Sequence, residues 1–571
     1  MAKKDEPRSV VIPLLNGGLN TDSPRDLLAN TETPNLSNIE FYNGVPRKRK
    51  GYTAMADVDE VAGELLVHAH HYFEPAVDGN STFWVFTGGT SGLVLERAAF
   101  ATGEWFVETG TMTVPAHDKF DEYICTTEIV FLSAAEGGDA DNDYKTFMIA
   151  LKNDTNPITH TAGTLSALSF TNSTDLALAE LTGGDGYNAD ETVHRAKWVS
   201  GFHNHLFLFN TYEQTAAAVA DPPTAAVYIN FPYRVRISKL TEFVAAGDWD
   251  AAVDGTRIDL LTQSGAILRG GPLRNSMIVY QQRAITRLWP TDVVDAPFRE
   301  EEVVSGIGLM APRCLVNTGE AHYFLGNDRQ VYEFYGGRDL RPIGDPIRSD
   351  MFDNMTTAAS GAYLKRNRSW GIHLADIEAV AFAVVQTGDD LPDTFYVYYY
   401  RLKKWTKWKF PVYFAGGGLW YEPAGLSYRA IPILGGYLED GTTRLVYLNY
   451  DSEAAYDDDT VTAATAITAT VDTKAFIVDL KHRHRVANLW FEAKGKSTSS
   501  TISVSISVDN GAFAKTQSVT LTAGWQAYQI DFDITGYEVQ FRFTDATVIE
   551  GYFLGRIVFD ADEKEEVTTE L

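Results

Sequence analysis

From residue 64 onward, apolar and polar positions follow the two-residue period of strands rather than the 3.6-residue period of helices. Thr82–Phe86 (TFWVF), Ser91–Arg97 and Glu104–Glu108 are β-branched or aromatic runs separated by Gly-rich turns. The same grammar returns at Ser276–Trp289, at Glu320–Tyr335 around the turn Gly326-Asn327-Asp328, and at Phe395–Tyr400 followed by Trp405–Phe410. Each is a strand, a short turn and a second strand rich in aromatics. No stretch sustains a helical apolar period over a dozen positions, so the pattern predicts an all-β chain without long helices. Recurrent antiparallel hairpins over several hundred residues predict a divergent β-propeller-like body of blades, each packing its faces on its neighbours. The Trp landmarks (Trp105, Trp249, Trp289, Trp408) are unevenly spaced, so stacked β-domains fit as well and the blade count stays open.

The pattern changes near residue 450. After the acidic stretch Ala454–Thr460, read as an exposed linker, a cleaner alternation follows through Val461–Val471, Ala475–Leu480 and Val486–Ala493. Thr501–Val508 (TISVSISV) keeps strict period two, and Asp509-Asn510-Gly511 is a turn signal. With strands at Ser518–Leu521, Gln526–Phe532, Glu538–Thr544 and Gly551–Phe559, residues 456–562 read as a C-terminal β-sandwich. Residues 563–571 form an acidic tail. Within the body (56–455), stretches 137–144 and 155–190 read as insertions, the first acidic and loop-like, the second able to project toward a neighbour.

Residues 1–55 differ from both. Gly17-Gly18, Pro24, Pro34, Asn43-Gly44 and Pro46 punctuate short apolar pieces, specifying an extended N-terminal arm made of turns. It ends in a dense basic run, Arg47-Lys48-Arg49-Lys50. The chain has 571 residues and a formal net charge of −28, with 48 basic against 76 acidic residues. Such a surface repels nucleic acid on average. It suits solubility, or a conduit whose wall does not hold a passing polyanion. The longest apolar runs, such as Ala379–Val385, are too short to span a membrane. Lys3-Lys4 is followed by Asp5-Glu6-Pro7, which is not a secretory leader. Cys125 and Cys314 are too few and too far apart for a disulfide framework, and read as buried reduced thiols.

Candidate chemistry is thin. His68/His70/His71, His203/His205 and His482/His484 place pairs on one strand face, but nothing completes a metal site around them. Asp139–Asp143 and Asp457–Asp459 lack calcium-loop spacing and read as solvated loops, and Gly416–Gly418 reads as a turn rather than a phosphate loop. The aromatics Tyr396–Tyr400, Trp405, Trp408, Trp420 and Tyr421 would suit either a sugar platform or blade packing, with packing the more usual use of strand aromatics. We therefore expect no catalytic residue, metal or cofactor. The sites singled out are the assembly arm positions Gly17, Gly18, Pro24, Asn43, Gly44, Arg47, Lys48, Arg49 and Lys50. The basic run is expected to meet an acidic neighbouring subunit or a DNA end.

The arm's layout, Gly-Gly, Pro, Asn-Gly, then a basic cluster before Gly51, resembles the start of tail-tube proteins of short-tailed bacteriophages. The order Tyr233–Ser238, Gly247–Trp249, Ile258–Leu260, Gly265–Leu268, Ser276–Tyr280, Val304–Gly308, His322–Gly326 and Arg341–Gly344 is similar to phage virion proteins of the tail nozzle or hub group. That resemblance covers about half of the chain. It implies a non-enzymatic structural protein of the virion, assembled in the host cytoplasm as a homo-oligomeric ring, usually a hexamer. Such a ring lies below portal and adaptor proteins, extends the DNA-ejection channel, helps retain the genome and carries tail fibres or a spike. The alternative reading is a tail protein that binds or degrades host-surface polysaccharide.

Overall fold

The alternation along 276–409 is realised as repeated four-stranded antiparallel meanders. A computed structural model of the chain describes residues 8–54 and most of 192–563. Between them it describes the strands Leu65–Phe73, Ser81–Gly89, Gly92–Ala101, Glu104–Gly110, Cys125–Phe131, Thr146–Lys152, Ile158–Thr161 and Thr171–Asn172. Within 192–563 the undescribed residues are 217–218, 221–222, 225–226, 241–255, 292, 294–295, 356–365, 390, 423–428, 438–442, 449–456, 460–463, 478–482, 497–499 and 548–551. Stretch 137–144, Asp139–Asp143, Trp249, His482, the tail from 564 and the side chains of His68, His70 and His71 lie outside the described residues.

The protein is nearly all-β and its body is propeller-like. Sheet I (strands from 65 to 110), sheet II (125 to 172), sheet III (192 to 259), sheet IV (267 to 305) and sheet V (315 to 342) each have four strands. Sheet VI, from Trp370–Leu374 to Lys404–Lys409, has the same meander. Sheet VII is Tyr413–Glu422, Arg429–Tyr437 and Thr443–Leu448, completed on its outer edge by Tyr52–Ala54 from the arm. Leading strands touch in succession: Cys125–Phe131 lies against Leu65–Phe73 and Thr192–Phe202, the latter against Ile267–Leu273, and Trp370–Leu374 against Leu315–Asn317 and Tyr413–Glu422. Tyr413–Glu422 also lies against Leu65–Phe73.

Several local expectations change. Ile158–Thr161 and Thr171–Asn172 complete sheet II, so part of stretch 155–190 is sheet rather than insertion. Asp457–Asp459 pairs with Ala464–Ala466 as a strand, not a loop. Gly416–Gly418 lies inside a strand, where a Cβ on Gly417 would sit 2.7 Å from the Ile433 carbonyl oxygen, so this glycine permits strand contact instead of a turn. The aromatics of sheet VI are packing residues: Trp405, Trp408, Tyr396 and Tyr399 are all buried. Their polar edges are satisfied internally where they tie neighbours together, as Trp405 Nε1 donates to the Ile343 carbonyl (2.7 Å) and Trp408 Nε1 to that of Ile39 (2.8 Å). The α-helix Arg348–Asp353 is only six residues long.

The C-terminal sandwich is not built from the C-terminal segment alone. One sheet has the order Gln526–Gly536, His484–Gly495, Tyr552–Glu563, Val45–Lys48, Ile39–Tyr42, with Arg8–Ile12 also paired to Tyr552–Glu563. The other contains Ala469–Asp472, Glu538–Asp545, Thr501–Val508 and Ala514–Thr520. Leu36–Ser37 inserts between this sheet and sheet VI, running parallel to Lys404–Lys409 and antiparallel to Ala469–Asp472, so that the two become one ten-stranded sheet. Arm residues Ile12, Leu15, Leu19, Leu36, Ile39 and Phe41 belong to the same core as blade residues such as Phe382 and sandwich residues such as Phe541. The arm is thus the tie between the two units, and these six side chains are as buried as theirs.

Candidate functional site: the arm junction

The arm positions singled out from the sequence act within the chain. Asn43 (φ 50°) and Gly44 (φ 76°) both occupy the left-handed region and join Ile39–Tyr42 to Val45–Lys48 in a two-residue hairpin, Tyr42 facing Val45. Asn tolerates this conformation and Gly has no Cβ to oppose it. Gly17 donates its amide to the Thr31 carbonyl (2.7 Å), and a Cβ there would stand 2.5 Å from the Thr31 backbone. Gly18 (φ 90°) lies against the backbone of Trp405. The Pro24 carbonyl closes a turn by accepting from the Leu27 amide at 2.9 Å.

The basic run is consumed inside the molecule, a correction to its expected role as a free positive patch. Arg47 donates to the buried Glu40 carboxylate at 2.6 Å and its guanidinium sits 4.2 Å from the Tyr42 ring. Burial raises the Glu40 carboxyl above the usual range, against the pull of Arg47, Lys50 and Arg49. Lys48, fully buried, donates to the Thr547 carbonyl (2.6 Å) and lies 3.5 Å from Asp545. Burial likewise pushes the Asp545 carboxyl up, opposed by Lys48.

Arg49 is the hub. Its guanidinium forks onto Asp458 (2.9 and 2.6 Å) and donates to the Asn38 side chain (3.0 Å) and to the carbonyls of Lys50 and Lys409 (both 3.1 Å). It lies 4.2 Å over the Phe410 ring. Asn38 (φ 54°) closes the arrangement by accepting from the Lys409 amide at 2.8 Å. Three parts of the chain (arm, sheet VI and the Asp457–Asp459 strand) therefore share one charge-assisted network. Lys50 is buried too. The sequence signal was misleading because a basic run is ordinarily solvated; here the chain's own surplus acid supplies the partners.

A second constellation, absent from the sequence expectations, lies between the outer strands of sheets III and IV. An open groove of about 480 Å³ is lined by Arg257, Asp259, Trp289, Phe298, Arg299 and Glu300. Arg234 forks onto Asp259 (2.7 and 2.9 Å) and shares the buried Glu213 with Arg236. Desolvation works against the Asp259 carboxylate, but the Arg234 hydrogen bonds and charge outweigh it and hold the group below the ordinary range. Glu300, on the exposed rim, moves the other way, raised by partial desolvation and by the Asp259 charge. Nothing along the sequence pointed to this cluster, because Glu213 and Asp259 lie on strands other than that of Arg234 and Arg236.

Among the described residues no group of His, Cys, Asp and Glu has the arrangement of a metal site. His203 sits in an exposed turn, His205 Nδ1 meets the Ser238 carbonyl oxygen at 2.6 Å, and His484 is buried. Cys314 is buried and its thiol donates to the Ser369 carbonyl. No helix among the described residues is long and apolar enough to cross a membrane.

No protein-family model matches the chain, and no curated protein matches it. Among solved structures, an exo-β-1,3-galactanase from Phanerochaete chrysosporium aligns over 90% of this chain and 100% of its own, at 9% identity and a TM-score of 0.23. A CBM61 module in complex with β-1,4-galactotriose aligns over 17% of this chain and 65% of its own, at 12% identity and a TM-score of 0.14. The enzymatically active domain of bacteriophage CBA120 tailspike protein 4 aligns over 24% of this chain and 16% of its own, at 15% identity and a TM-score of 0.14. Likeness at this level carries no argument about function.

Proposed function

We propose that the chain is a non-enzymatic structural protein of a phage tail, a subunit of the nozzle or hub ring that its arm and mid-chain segments resemble. In this reading the ring, a hexamer, extends the DNA channel below portal and adaptor, helps retain the genome and offers its flank to fibres or a spike. The single observation that most supports it is the arm junction. Residues 8–54 are spent on welding sheet VII, sheet VI and the sandwich into one body through a common core and the buried Arg49–Asp458 network. A body so joined suits a part that must keep its shape while DNA moves past, and the net charge of −28 suits a wall that does not retain a polyanion. With the arm used internally, subunit contacts would fall on the blades and sandwich, in a heterologous interface closed by rotation. Mass spectrometry and antibody labelling of purified phage particles test this: the chain is expected in the particle, at the tail. Its absence from particles would overturn the reading.

A second reading has its own observation. In the groove at Trp289, two carboxyl groups, Asp259 and Glu300, are pushed in opposite directions beside an aromatic ring. Paired carboxyls with divergent proton affinities are what glycan hydrolysis requires. In this reading the protein is a polysaccharide-degrading tail component. Release of reducing ends from host polysaccharide, abolished in Glu300→Gln, would favour it over the structural reading; no release from any host glycan would remove it.

A further inference from the structure

The sandwich carries an exposed aromatic surface that neither reading uses. Across the solvent face of the sheet, Lys494 and Arg47 flank Phe553 directly, each being its register partner on an adjacent strand. Tyr42, at the end of the hairpin, packs edge-on to Phe553 with centroids 6.3 Å apart. Trp525 reaches the same ring from the other side, with centroids 6.4 Å apart. Trp525 and Tyr42 are each 51% exposed. The Trp525 indole extends over Gly555, where a Cβ would meet it at 3.0 Å, so the strand beneath it leaves room for the ring to lie on the sheet. Three rings, Trp525, Phe553 and Tyr42, thus form a row on one face of a rigid sheet.

The charges around the row are arranged for a ligand. Arg47 is held by Glu40 and stacks on Tyr42, which fixes that ring. Arg556 pairs with Glu492 at 2.7 Å on the flank, presenting hydrogen-bonding groups beside Trp525. Lys494, whose ammonium lies 5.8 Å from the Phe553 ring, has no carboxylate partner among the described residues. On a chain with 28 surplus negative charges, a row of rings edged by an uncompensated cation is locally complementary to an anionic ligand.

We infer that this face is a binding site for an acidic saccharide chain, a polymer bearing uronate carboxylates. The apolar C–H faces of successive sugar rings would rest on Trp525, Phe553 and Tyr42, as aromatic side chains favour a partner that is apolar on its face and polar at its edge. The Arg556–Glu492 pair would take sugar hydroxyls, and Lys494 a uronate carboxylate. Oligonucleotides also stack on such rings, but the chain's overall charge opposes a polyphosphate of high linear charge density. The site is separate from the Trp289 groove and independent of the ring proposal.

The test uses the full-length protein in affinity electrophoresis and titration by tryptophan fluorescence, with polygalacturonate, neutral dextran and oligothymidylate as probes. The expected result is saturable binding of polygalacturonate, weakened about tenfold or more in Trp525→Ala. Lys494→Gln is expected to weaken polygalacturonate binding while leaving any dextran binding unchanged. Trp525 is half exposed, and an unaltered far-ultraviolet circular dichroism spectrum and thermal midpoint would show that its substitution leaves the fold intact. No binding of polygalacturonate, binding unaffected by Trp525→Ala, equal binding of dextran, or tighter binding of oligothymidylate would each overturn the assignment.

Discussion

Replacing Arg49 by Met keeps the length and apolar stem of the side chain and removes its five donors. Asp458, 2% exposed, then keeps its charge with no fork to receive it, and the Lys409 carbonyl and Asn38 side chain each lose a donor. Breaking a buried pair by removing one partner costs about 3–5 kcal/mol, most of it from the stranded charge. Against a typical total of about 5–15 kcal/mol that is a large fraction. The loss would be felt first where the network joins arm to sheet VI, because there the Asn38 side chain accepts from the Lys409 amide and the Asn38 amide donates to the Lys407 carbonyl. Native-state hydrogen exchange of peptides spanning 36–50 and 404–410 reads this directly. Protection in Arg49→Met should fall by roughly two to three and a half orders of magnitude. The double variant Arg49→Met/Asp458→Leu, which removes both members of the pair and strands neither, should recover most of it. Protection within tenfold of the parent in the single variant, or a double variant no better than the single, would refute the assignment of Arg49 as the junction's hub.

Deleting residues 1–50 should leave an unfolded sandwich and an insoluble chain rather than a folded body that fails to assemble; a soluble truncation with the parent's near-ultraviolet spectrum would contradict this. His322 is buried, with Nδ1 2.9 Å from the Tyr280 hydroxyl and Nε2 3.1 Å from the Pro272 carbonyl oxygen, which fits a neutral ring donating from Nε2. Burial lowers its pKa from 6.5 to about 3, so the unfolded chain takes up this proton at a higher pH than the folded one. Its contribution is complete above pH 6.5 and is lost as pH falls toward about 3, and His322→Gln should flatten the stability profile between those limits; an unchanged slope would contradict it. The Cys314 thiol is pushed up to about 12 by burial, so its peptide should resist iodoacetamide at pH 8 in the native protein and react in denaturant. Labelling of Cys314 in the native state would count against its burial.

The all-β character and the sandwich were legible because both depend on local period: Thr501–Val508 alternates in sequence and forms a strand with Ile502, Val504 and Ile506 inward, although Ser505 and Ser507 are buried as well. The Asn43-Gly44 hairpin was legible for the same reason, since its backbone demand is met by two adjacent residues. Leu36–Ser37 was not, because two residues carry no period and their role comes from pairing with strands hundreds of positions away. The fate of Arg47–Lys50 was hidden similarly, as Asp458 and Asp545 become their partners only once the chain has folded. In the groove, Trp289 was marked as a strand end, while its neighbours Asp259 and Glu300 were two acids among 76. The platform of Trp525, Phe553 and Tyr42 joins the two ends of the chain, and no reading along the sequence brings those together.

If this chain is the ring-forming structural subunit proposed above, negative-stain electron microscopy of the full-length protein, alone and mixed with the adaptor protein of the same phage, should show closed rings around a central channel in at least one of the two samples. Monomers in both, together with release of reducing ends from host polysaccharide, would contradict it.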